Sequence, residues 1–297
     1  MSLPRVPLFQ GKEVVNIEVT MRSDNSAELV IVAGRTERQY WKDIWHYREL
    51  FFFLVWRDIL VRYKQTTIGI AWALIRPVLT MVVLTVVFGK LAKLPSEGAP
   101  YPIFVFAATL PWQFFANALS EGSNSLLANT ELISKIYFPR LIIPTSSAIV
   151  SFVDFLLSFA ILVVLMFWYG VVPTWQLLAL PLFTLVAFAA AIGAGLWFAA
   201  INVKYRDVRY IVPFIVQFGL YVSPVGFSSS VVPGKWRFLY SLNPMVGIID
   251  GFRWAILGRG AVIYWPGFVV SIGLVITLLI SSILYFRKTE RTFADFI

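Results

Sequence analysis

The sequence predicts an all-α integral membrane protein with six transmembrane helices. A helix at the cytoplasmic surface precedes them, and short re-entrant helices precede the last span. Three observations support this fold class. Hydrophobic residues make up 59% of the 297 residues and charged residues only 14%, whereas soluble domains contain about 45–50% apolar residues. The mean hydropathy is +0.76. After residue 65, apolar segments long enough to span a membrane alternate with short polar connections.

Residues 1–46 form a polar cytoplasmic tail, and residues 47–297 form the predicted transmembrane domain. The tail lacks the apolar core of a signal peptide, so we expect no cleaved leader. Residues 14–19 alternate between apolar and polar side chains, and residues 29–33 are an apolar run. These patterns predict one or two short strands within the tail.

Residues 47–64 are predicted to form a helix that lies on the cytoplasmic surface of the membrane. Seven apolar or aromatic residues follow one another at positions 50–56, but a helix needs about 20 such residues to cross the bilayer. Arg57, Arg62 and Lys64 follow them, interspersed with apolar residues. Long basic side chains in such a helix reach toward lipid headgroups.

Six later segments have the length and composition of transmembrane helices. They are residues 68–91, 101–119, 141–171, 177–201, 211–227 and 265–286. An even number of spans places both termini on the same side of the membrane. The connections on that side carry eleven Lys and Arg residues, against six on the other side. Because cytoplasmic connections carry the excess of basic residues, both termini are predicted to be cytoplasmic.

The connection between the last two spans, residues 228–264, is too long for a tight turn. Its stretch 243–257 is apolar but too short to cross the membrane. Irregular backbone at membrane depth is stable only where protein or a water-filled cavity surrounds it. We therefore predict a pair of short re-entrant helices on the outer side.

The composition also argues against several functional classes. The net charge is +9, but the basic residues lie at helix ends and not on one face, so nucleic-acid binding is not expected. The chain has no Cys and one His, which excludes disulfides, thiolate nucleophiles and multi-His metal sites within one chain. No phosphate-binding loop of the form G-x-x-x-x-G-K-[ST] occurs. If ATP drives this protein, another subunit must bind it.

Apart from Lys90 at the end of the first span, two charged residues fall within predicted spans. Asp154 lies in the third span, with Ser151 and Ser158 at helical neighbour spacing. It could be a proton or substrate site, or a polar contact that fixes helix packing, which is the more common role. Arg76 precedes Pro77 in the first span, where the proline should kink the helix. Its guanidinium could bind an anionic headgroup or extend to the membrane surface.

Aromatic residues make up 16% of the chain. Most are expected to pack the core or to form belts at the membrane surfaces, but some could line a channel in which flat rings stack on sugar faces. The connections at residues 121–140 and 202–209 could receive a partner on the cytoplasmic side, or could simply be solvated.

Several stretches together resemble one family, the permease subunits of ABC-2 type polysaccharide exporters. Members of this family move O-antigen, capsule or teichoic acid chains on a lipid carrier. The matching stretches are WRDILVRYKQTTIGIAWALIRPVL at 56–79, PWQFFANAL at 111–119, ISKIYFPR at 133–140, NVKYRDVRYIVPFIVQFGLYVSPVGF at 202–227 and SLNPMVGIIDGFRWAIL at 241–257.

The resemblance assigns expected roles to four groups of residues. Residues 47–64 would be a cytoplasmic gate helix, and Arg57, Arg62, Lys64 and Arg76 would lie at the entry for a lipid pyrophosphate. Trp72, Phe218 and Tyr221 would line the channel. The segment that couples to the ATPase would use Glu121, Asn129, Glu131, Lys135, Arg140, Arg206 and Asp207. The outer gate would include Asn243, Pro244 and Arg253.

The resemblance also implies partners. Two copies of this chain would form a homodimer in the inner membrane and pair with two copies of a nucleotide-binding ATPase, which would hold the ATP and Mg. The cargo would be a lipid-linked, undecaprenyl-type polysaccharide, and the chain would contact membrane lipid but no nucleic acid. No cofactor or metal is expected in this chain, and no bond-changing activity. The alternatives are a proton-coupled secondary flippase that uses Asp154, or an exporter of another lipid-linked molecule.

Overall fold

The structure is a computed structural model that describes residues 37–64, 69–205, 207–258 and 263–293. Every regular element within these ranges is a helix, and none is a strand. The predicted all-α fold class is therefore confirmed. The short strands predicted at residues 14–19 and 29–33 lie outside the described residues, as does Arg206. The last ten residues of the predicted tail form a helix.

Eleven α-helices are described. They are α1 Glu37–His46, α2 Arg48–Lys64, α3 Gly69–Leu84, α4 Tyr101–Ala128, α5 Thr130–Lys135, α6 Ile142–Trp168, α7 Leu180–Lys204, α8 Val208–Val222, α9 Gly234–Tyr240, α10 Pro244–Leu257 and α11 Trp265–Glu290. A π-helical segment, Thr85–Leu91, continues α3, and a 3₁₀ turn, Trp175–Ala179, leads into α7.

Five of the predicted spans are helices long and apolar enough to cross a membrane: Ala71–Leu91, Tyr101–Ala128, Ile142–Trp168, Trp175–Lys204 and Trp265–Glu290. The fifth predicted span corresponds to α8, which has only 15 residues. Helices α9 and α10 occupy the connection where the sequence predicts re-entrant helices.

Helix α8 ends at Val222, although the sequence predicts a span through residue 227. Pro224 lacks an N–H group and disfavours helical geometry at the residue before it, and Ser223 is accordingly extended, with ψ 153°. The chain then continues as buried, non-helical backbone. Tyrosine hydroxyls pair with carbonyls at and after the end of α8. Tyr101 donates to Gly226 O at 2.7 Å, and Tyr240 donates to Val222 O at 2.9 Å. Such pairing makes irregular backbone stable at membrane depth.

Helix α4 is the centre of the helix bundle. Within its most apolar window 78% of the residues are buried, whereas the value for Ala71–Leu91 is 17%. A Cβ added at Gly122 would lie 3.4 Å from Gly195 Cα, so the two glycines let α4 and α7 approach closely. The sequence predicts that the second span ends at residue 119, but α4 continues to Ala128. Its last turns therefore carry Glu121, which the sequence places in a connection.

The two ends of the described chain meet at one end of the bundle. Tyr40 on α1 donates a hydrogen bond to Glu290 Oε2 on α11 at 2.8 Å, and the backbone N–H of Arg140 donates to Glu290 Oε1 at 2.6 Å. The guanidinium of Arg140 donates to the carbonyl of Glu290 at 2.8 Å. Burial of the Tyr40 hydroxyl beside the Glu290 carboxylate raises the pKa of Tyr40.

Candidate functional site

Helix α2 is fixed to the bundle by an ion-pair network around Arg62. The guanidinium pairs with both carboxylate oxygens of Glu121 on α4, one of them at 3.1 Å, and lies 3.2 Å from Asp154 Oδ2 on α6. Tyr63 donates a hydrogen bond to Asp154 Oδ1, and Ser151 donates one to Glu121 at 3.1 Å. One arginine thus connects three helices.

The protonation states in this network follow from its charges. Burial opposes the charge of Arg62, but the carboxylates of Glu121 and Asp154 outweigh it, and the pKa of Arg62 is raised. Burial and the hydrogen bond to Asp154 raise the pKa of Tyr63. Both side chains therefore remain protonated donors at neutral pH. With both of its oxygens occupied by these donors, Asp154 has the geometry of a packing contact between α2 and α6.

Arg57 makes a second connection from α2 to α4. Its guanidinium donates to Asn129 Oδ1 at 3.0 Å and to Asp58 Oδ1 at 2.8 Å. Asn129 is the residue between α4 and α5. The hydrogen bond between Arg57 and Asn129 therefore links α2 directly to the start of α5.

Helices α3 and α8 form the walls of a cleft. It is lined by Trp72, Arg76, Leu79, Thr80, Val83, Leu84, Leu220 and Tyr221. The structure thus brings together three residues that the sequence assigns separately to the entry and to the channel: Trp72, Arg76 and Tyr221. The two aromatic side chains are 59% and 61% exposed. Phe218 does not line this cleft; it is exposed and packs on Phe214, with ring centroids 4.7 Å apart.

A second cleft of about 140 Å³ lies between α2, α3, α4 and α6. Trp72 and Arg76 also line this cleft, so they separate it from the first one. Its other polar wall residues are Gln113 and Asn117 on α4, Ser158 on α6 and members of the Arg62 network. Sequence reasoning missed Gln113 and Asn117. Their spacing was a usable signal, since Gln113, Asn117 and Glu121 recur every four residues and so share one face of α4.

At the opposite end of the bundle, Arg253 on α10 is fully buried. Its guanidinium donates to the carbonyls of Phe227 at 2.8 Å, Val225 at 2.9 Å and Phe104 at 3.3 Å. It also lies 3.7 Å from the centroid of the Phe104 ring. Arg253 therefore holds the non-helical segment after α8 against α4.

Asn243 and Pro244 form the N-terminal cap and the first residue of α10. Asn243 caps the helix by accepting a hydrogen bond from the N–H of Met245 at 3.0 Å, and its amide donates to Ser223 at 2.9 Å. Pro244 occupies the first turn, where the missing N–H has no cost. Asn243 and Ser223 thus join α10 to the end of α8.

Comparison with known proteins identifies the family. A sequence profile of the ABC-2 type transporters matches residues 49–257, more than half of the chain. The chain belongs to the ABC-2 type transporter family. The match begins in α2 and ends with α10, so it contains both of the clefts and Arg253.

Several curated proteins are similar to this ABC-2 chain. The O-antigen export system permease protein RfbA of Myxococcus xanthus is 28% identical over 215 residues, which cover 71% of this chain and 82% of the relative. The protein of the same name from Klebsiella pneumoniae is 25% identical over 240 residues, with 80% and 91% covered. The polysialic acid transport protein KpsM of Escherichia coli is 21% identical over 254 residues, with 79% and 91% covered.

The basic residues that the resemblance places at an entry occupy different environments in this ABC-2 protein. Arg57 and Arg62 bind side chains of the bundle. Lys64 is exposed at the end of α2. The Arg76 side chain makes no hydrogen bond or ion pair to the described residues. Arg76 is therefore the guanidinium that is open to a ligand.

The residues predicted to couple to an ATPase also separate in space. Glu131 and Lys135 form an exposed pair on α5 at 3.4 Å, and Asp207 is exposed before α8. Glu121 and Asn129 face α2. Arg140 binds Glu290 at the junction with α11. Among the described residues, no group of three or more His, Cys, Asp or Glu side chains is arranged to hold a metal.

Proposed function

We propose that this ABC-2 protein is the permease half of an ATP-driven exporter that moves lipid-linked polysaccharide across the inner membrane. The observation that carries the proposal is the cleft between α3 and α8, which combines exposed aromatic rings with an unpaired arginine. Rings stack on the flat faces of sugars, and a guanidinium suits a phosphate or carboxylate. The export functions in the names of the similar permeases support this class of cargo.

The passage is proposed to form between two copies of the chain. Only 17% of the residues in the apolar window of Ala71–Leu91 are buried within one chain, and an arginine that faces lipid is costly. A second copy would enclose the face that carries Trp72, Arg76 and Tyr221, and would supply the opposite wall. Both clefts would then open into a shared, water-filled path.

The driving force is proposed to come from a separate ATPase subunit, because this sequence contains no phosphate-binding loop. Helix α5, with its exposed Glu131 and Lys135, offers a surface to that subunit. Movement of α5 would pass to α2 through Asn129 and Arg57. The chain itself would break no bond, and ATP and Mg would be bound by the partner.

The path of the cargo follows from the charges on the cytoplasmic side. The anionic pyrophosphate of the lipid carrier would meet exposed Lys64 and then Arg76, since Arg57 and Arg62 already have partners. The sugar chain would then slide along Trp72 and Tyr221, whose rings bind many sugars weakly. Because each ring would bind the sugar chain only weakly, the chain could move from one site to the next.

We further propose six spans with both termini in the cytoplasm. The contact between Tyr40 and Glu290 supports an even number of crossings, because it joins the two ends of the described chain. Helix α8 and the buried segment after it would supply the remaining crossing. The excess of Lys and Arg in the connections on that side supports the cytoplasmic assignment.

Reconstitution tests the proposal. The chain and the ATPase encoded with it would be placed in liposomes that contain a lipid-linked polysaccharide, and appearance of glycan on the other side would be measured with ATP. We expect export that stops when the catalytic glutamate of the ATPase is replaced by glutamine. Export by the chain without any ATPase, driven by a proton gradient, would contradict the proposal and favour a secondary flippase.

A further inference from the structure

The second cleft contains polar groups that no described residue satisfies. Asn117 makes no side-chain hydrogen bond to the described residues, and neither does the guanidinium of Arg76. Gln113 donates one bond, to Thr80 at 3.3 Å, and its carbonyl oxygen has no partner among them. All three line one cleft, beside the indole of Trp72.

These groups lie at membrane depth. Arg76 is five residues into the candidate span Ala71–Leu91, or about 7.5 Å along the helix at 1.5 Å per residue. Gln113 lies near the middle of α4 and Asn117 one turn further toward its cytoplasmic end. Unsatisfied amides and an unpaired charge are expensive in hydrocarbon. Retention of three such groups along one cleft indicates that a polar ligand or water occupies it.

The charges around the cleft select the class of ligand. Its acidic wall residue, Asp154, is bound by Arg62 and Tyr63, and nearby Glu121 is bound by Arg62 and Ser151. The arginine left to interact with a ligand is Arg76. Two amides beside it can donate to and accept from hydroxyl groups, and the Trp72 ring offers a flat apolar face. This combination suits a hydroxyl-rich group that also carries an oxyanion.

We propose that Arg76, Gln113, Asn117 and Trp72 form a binding subsite for an oxyanion-bearing saccharide within the membrane. The inference rests on the proposed export function and makes it more specific, because it assigns recognition to four residues. The oxyanion could belong to an acidic sugar of the glycan or to the pyrophosphate that joins the glycan to its lipid. Both present oxygens that a guanidinium binds through paired hydrogen bonds.

The experiment measures binding to the full-length chain in lipid nanodiscs by isothermal titration. The probes are an oligogalacturonate, a neutral malto-oligosaccharide of equal length, and inorganic pyrophosphate. The variants are Arg76→Gln, Gln113→Leu and Asn117→Leu. Arg209→Gln is the matched control, because Arg209 is an exposed arginine on α8 that lines neither cleft.

Arg76→Gln should weaken binding of the anionic probes roughly 10-fold or more, since hydrogen bonds to charged groups are the stronger ones. The neutral saccharide should be unaffected by that change. Asn117→Leu and Gln113→Leu should each weaken the acidic and the neutral saccharide about 5-fold. The Arg209→Gln control should bind like the wild type. A larger loss for pyrophosphate than for oligogalacturonate supports the subsite with the lipid pyrophosphate as ligand, and the reverse supports it with an acidic sugar.

Arg76→Gln and Asn117→Leu proteins that both bind the anionic probes as the wild type does would overturn the proposal. So would a wild-type chain that shows no saturable binding of any probe. If Arg76→Gln does not yield monodisperse protein, Arg76→Lys and Asn117→Leu decide the question. The export assay separates the two proposals: a wild-type complex that exports no polysaccharide removes the proposed function, whereas unchanged binding by the variants of an active exporter removes only the subsite.

Discussion

Arg62 and Arg253 each hold several helices together, at opposite ends of the bundle, but their surroundings differ. Arg253 is fully buried and donates to three backbone carbonyls. Arg62 is only half-buried and pairs with two carboxylates. These carbonyls belong to the backbone, so the Arg253 hydrogen bonds cannot change without moving the chain. The side-chain pairs of Arg62 can separate and be hydrated without moving the backbone, so we expect α2 to move more readily than the segment that Arg253 holds.

The largest expected effect on stability comes from replacing Arg253. Arg253→Leu would leave the carbonyls of Phe104, Val225 and Phe227 without their donor in a buried site. Each such loss is costly, and we expect a decrease of about 3–5 kcal/mol in the free energy of unfolding. Unfolding in detergent, followed by the loss of helical circular dichroism, measures the change.

Arg237→Leu is the matched control for this variant. Arg237 lies on α9 and donates to carbonyls at 3.1 and 3.3 Å, but its surroundings are more exposed. We expect a loss below about 1 kcal/mol, as is usual at exposed positions. Equal losses for the two variants would show that burial of Arg253 does not matter.

The next effect on stability concerns the ion pairs of Arg62 that hold α2. Arg62→Ala would leave Glu121 and Asp154 without their shared cation, and Asp154→Asn in the same protein would remove part of the remaining repulsion. In a double-mutant cycle we expect a coupling energy of about 1–3 kcal/mol between these positions. Purely additive losses in the unfolding free energy would argue that the Arg62–Asp154 pair does not hold α2.

Movement of α2 can be followed in the same variants, because the chain contains no Cys. A single cysteine introduced at Leu54, which is buried on α2, reports whether the helix has left the bundle. We expect it to react with a maleimide faster in the Arg62→Ala background. The Arg57→Ala background should show a smaller increase, since Arg57 binds one amide of the bundle and not two carboxylates.

An effect of similar size is expected at the junction of the two chain ends. Tyr40→Phe would remove the hydrogen bond to Glu290 and decrease the free energy of unfolding by about 1.5–3 kcal/mol. Because the folded-state pKa of Tyr40 is raised above the ordinary tyrosine value of 10.0, this contribution is fully present below pH 10 and declines as the pH rises further. Unfolding of both proteins at about pH 8 and about pH 11 measures it. A difference that grows at the higher pH would contradict the assignment.

The smallest effect is expected on transport. Asp154→Asn keeps a side chain that can accept from Tyr63 and Arg62, so export should stay within about 3-fold of the wild type. Its pH dependence should be unchanged. Loss of transport together with a shifted pH profile would show that Asp154 carries a proton, as in a secondary flippase.

The positions of most helices can be predicted from the sequence, because the lengths of the apolar segments determine them. A helix within residues 47–64, the helices before the last span and five of the six spans follow from hydropathy alone. The predicted end of α8 is wrong because hydropathy ignores Pro224, and the segment after α8 is held by Arg253, which is distant in the chain. The pairing of Arg62 with Glu121 joins residues 59 positions apart, and no local pattern reveals such a partner.

The candidate site was only partly predictable for a related reason. The family resemblance points to Trp72, Arg76 and Tyr221, but their meeting at one cleft depends on how α3 and α8 pack on α4. Phe218 has the same composition signal as Tyr221 and lies outside the cleft. Gln113 and Asn117 could have been found from their four-residue spacing, since polar residues that share a face within a span have to meet a polar surface.

Photo-crosslinking during transport tests most directly that polysaccharide passes along the face of α3 and α8. A photoreactive amino acid would replace Tyr221 in one protein and Leu178, exposed next to α7, in another, and each would be reconstituted with the ATPase and labelled lipid-linked polysaccharide. The account predicts that Tyr221 labels the glycan only while ATP is hydrolysed, and that Leu178 labels lipid alone. Glycan attached at Leu178, or only lipid attached at Tyr221 during active export, would contradict it.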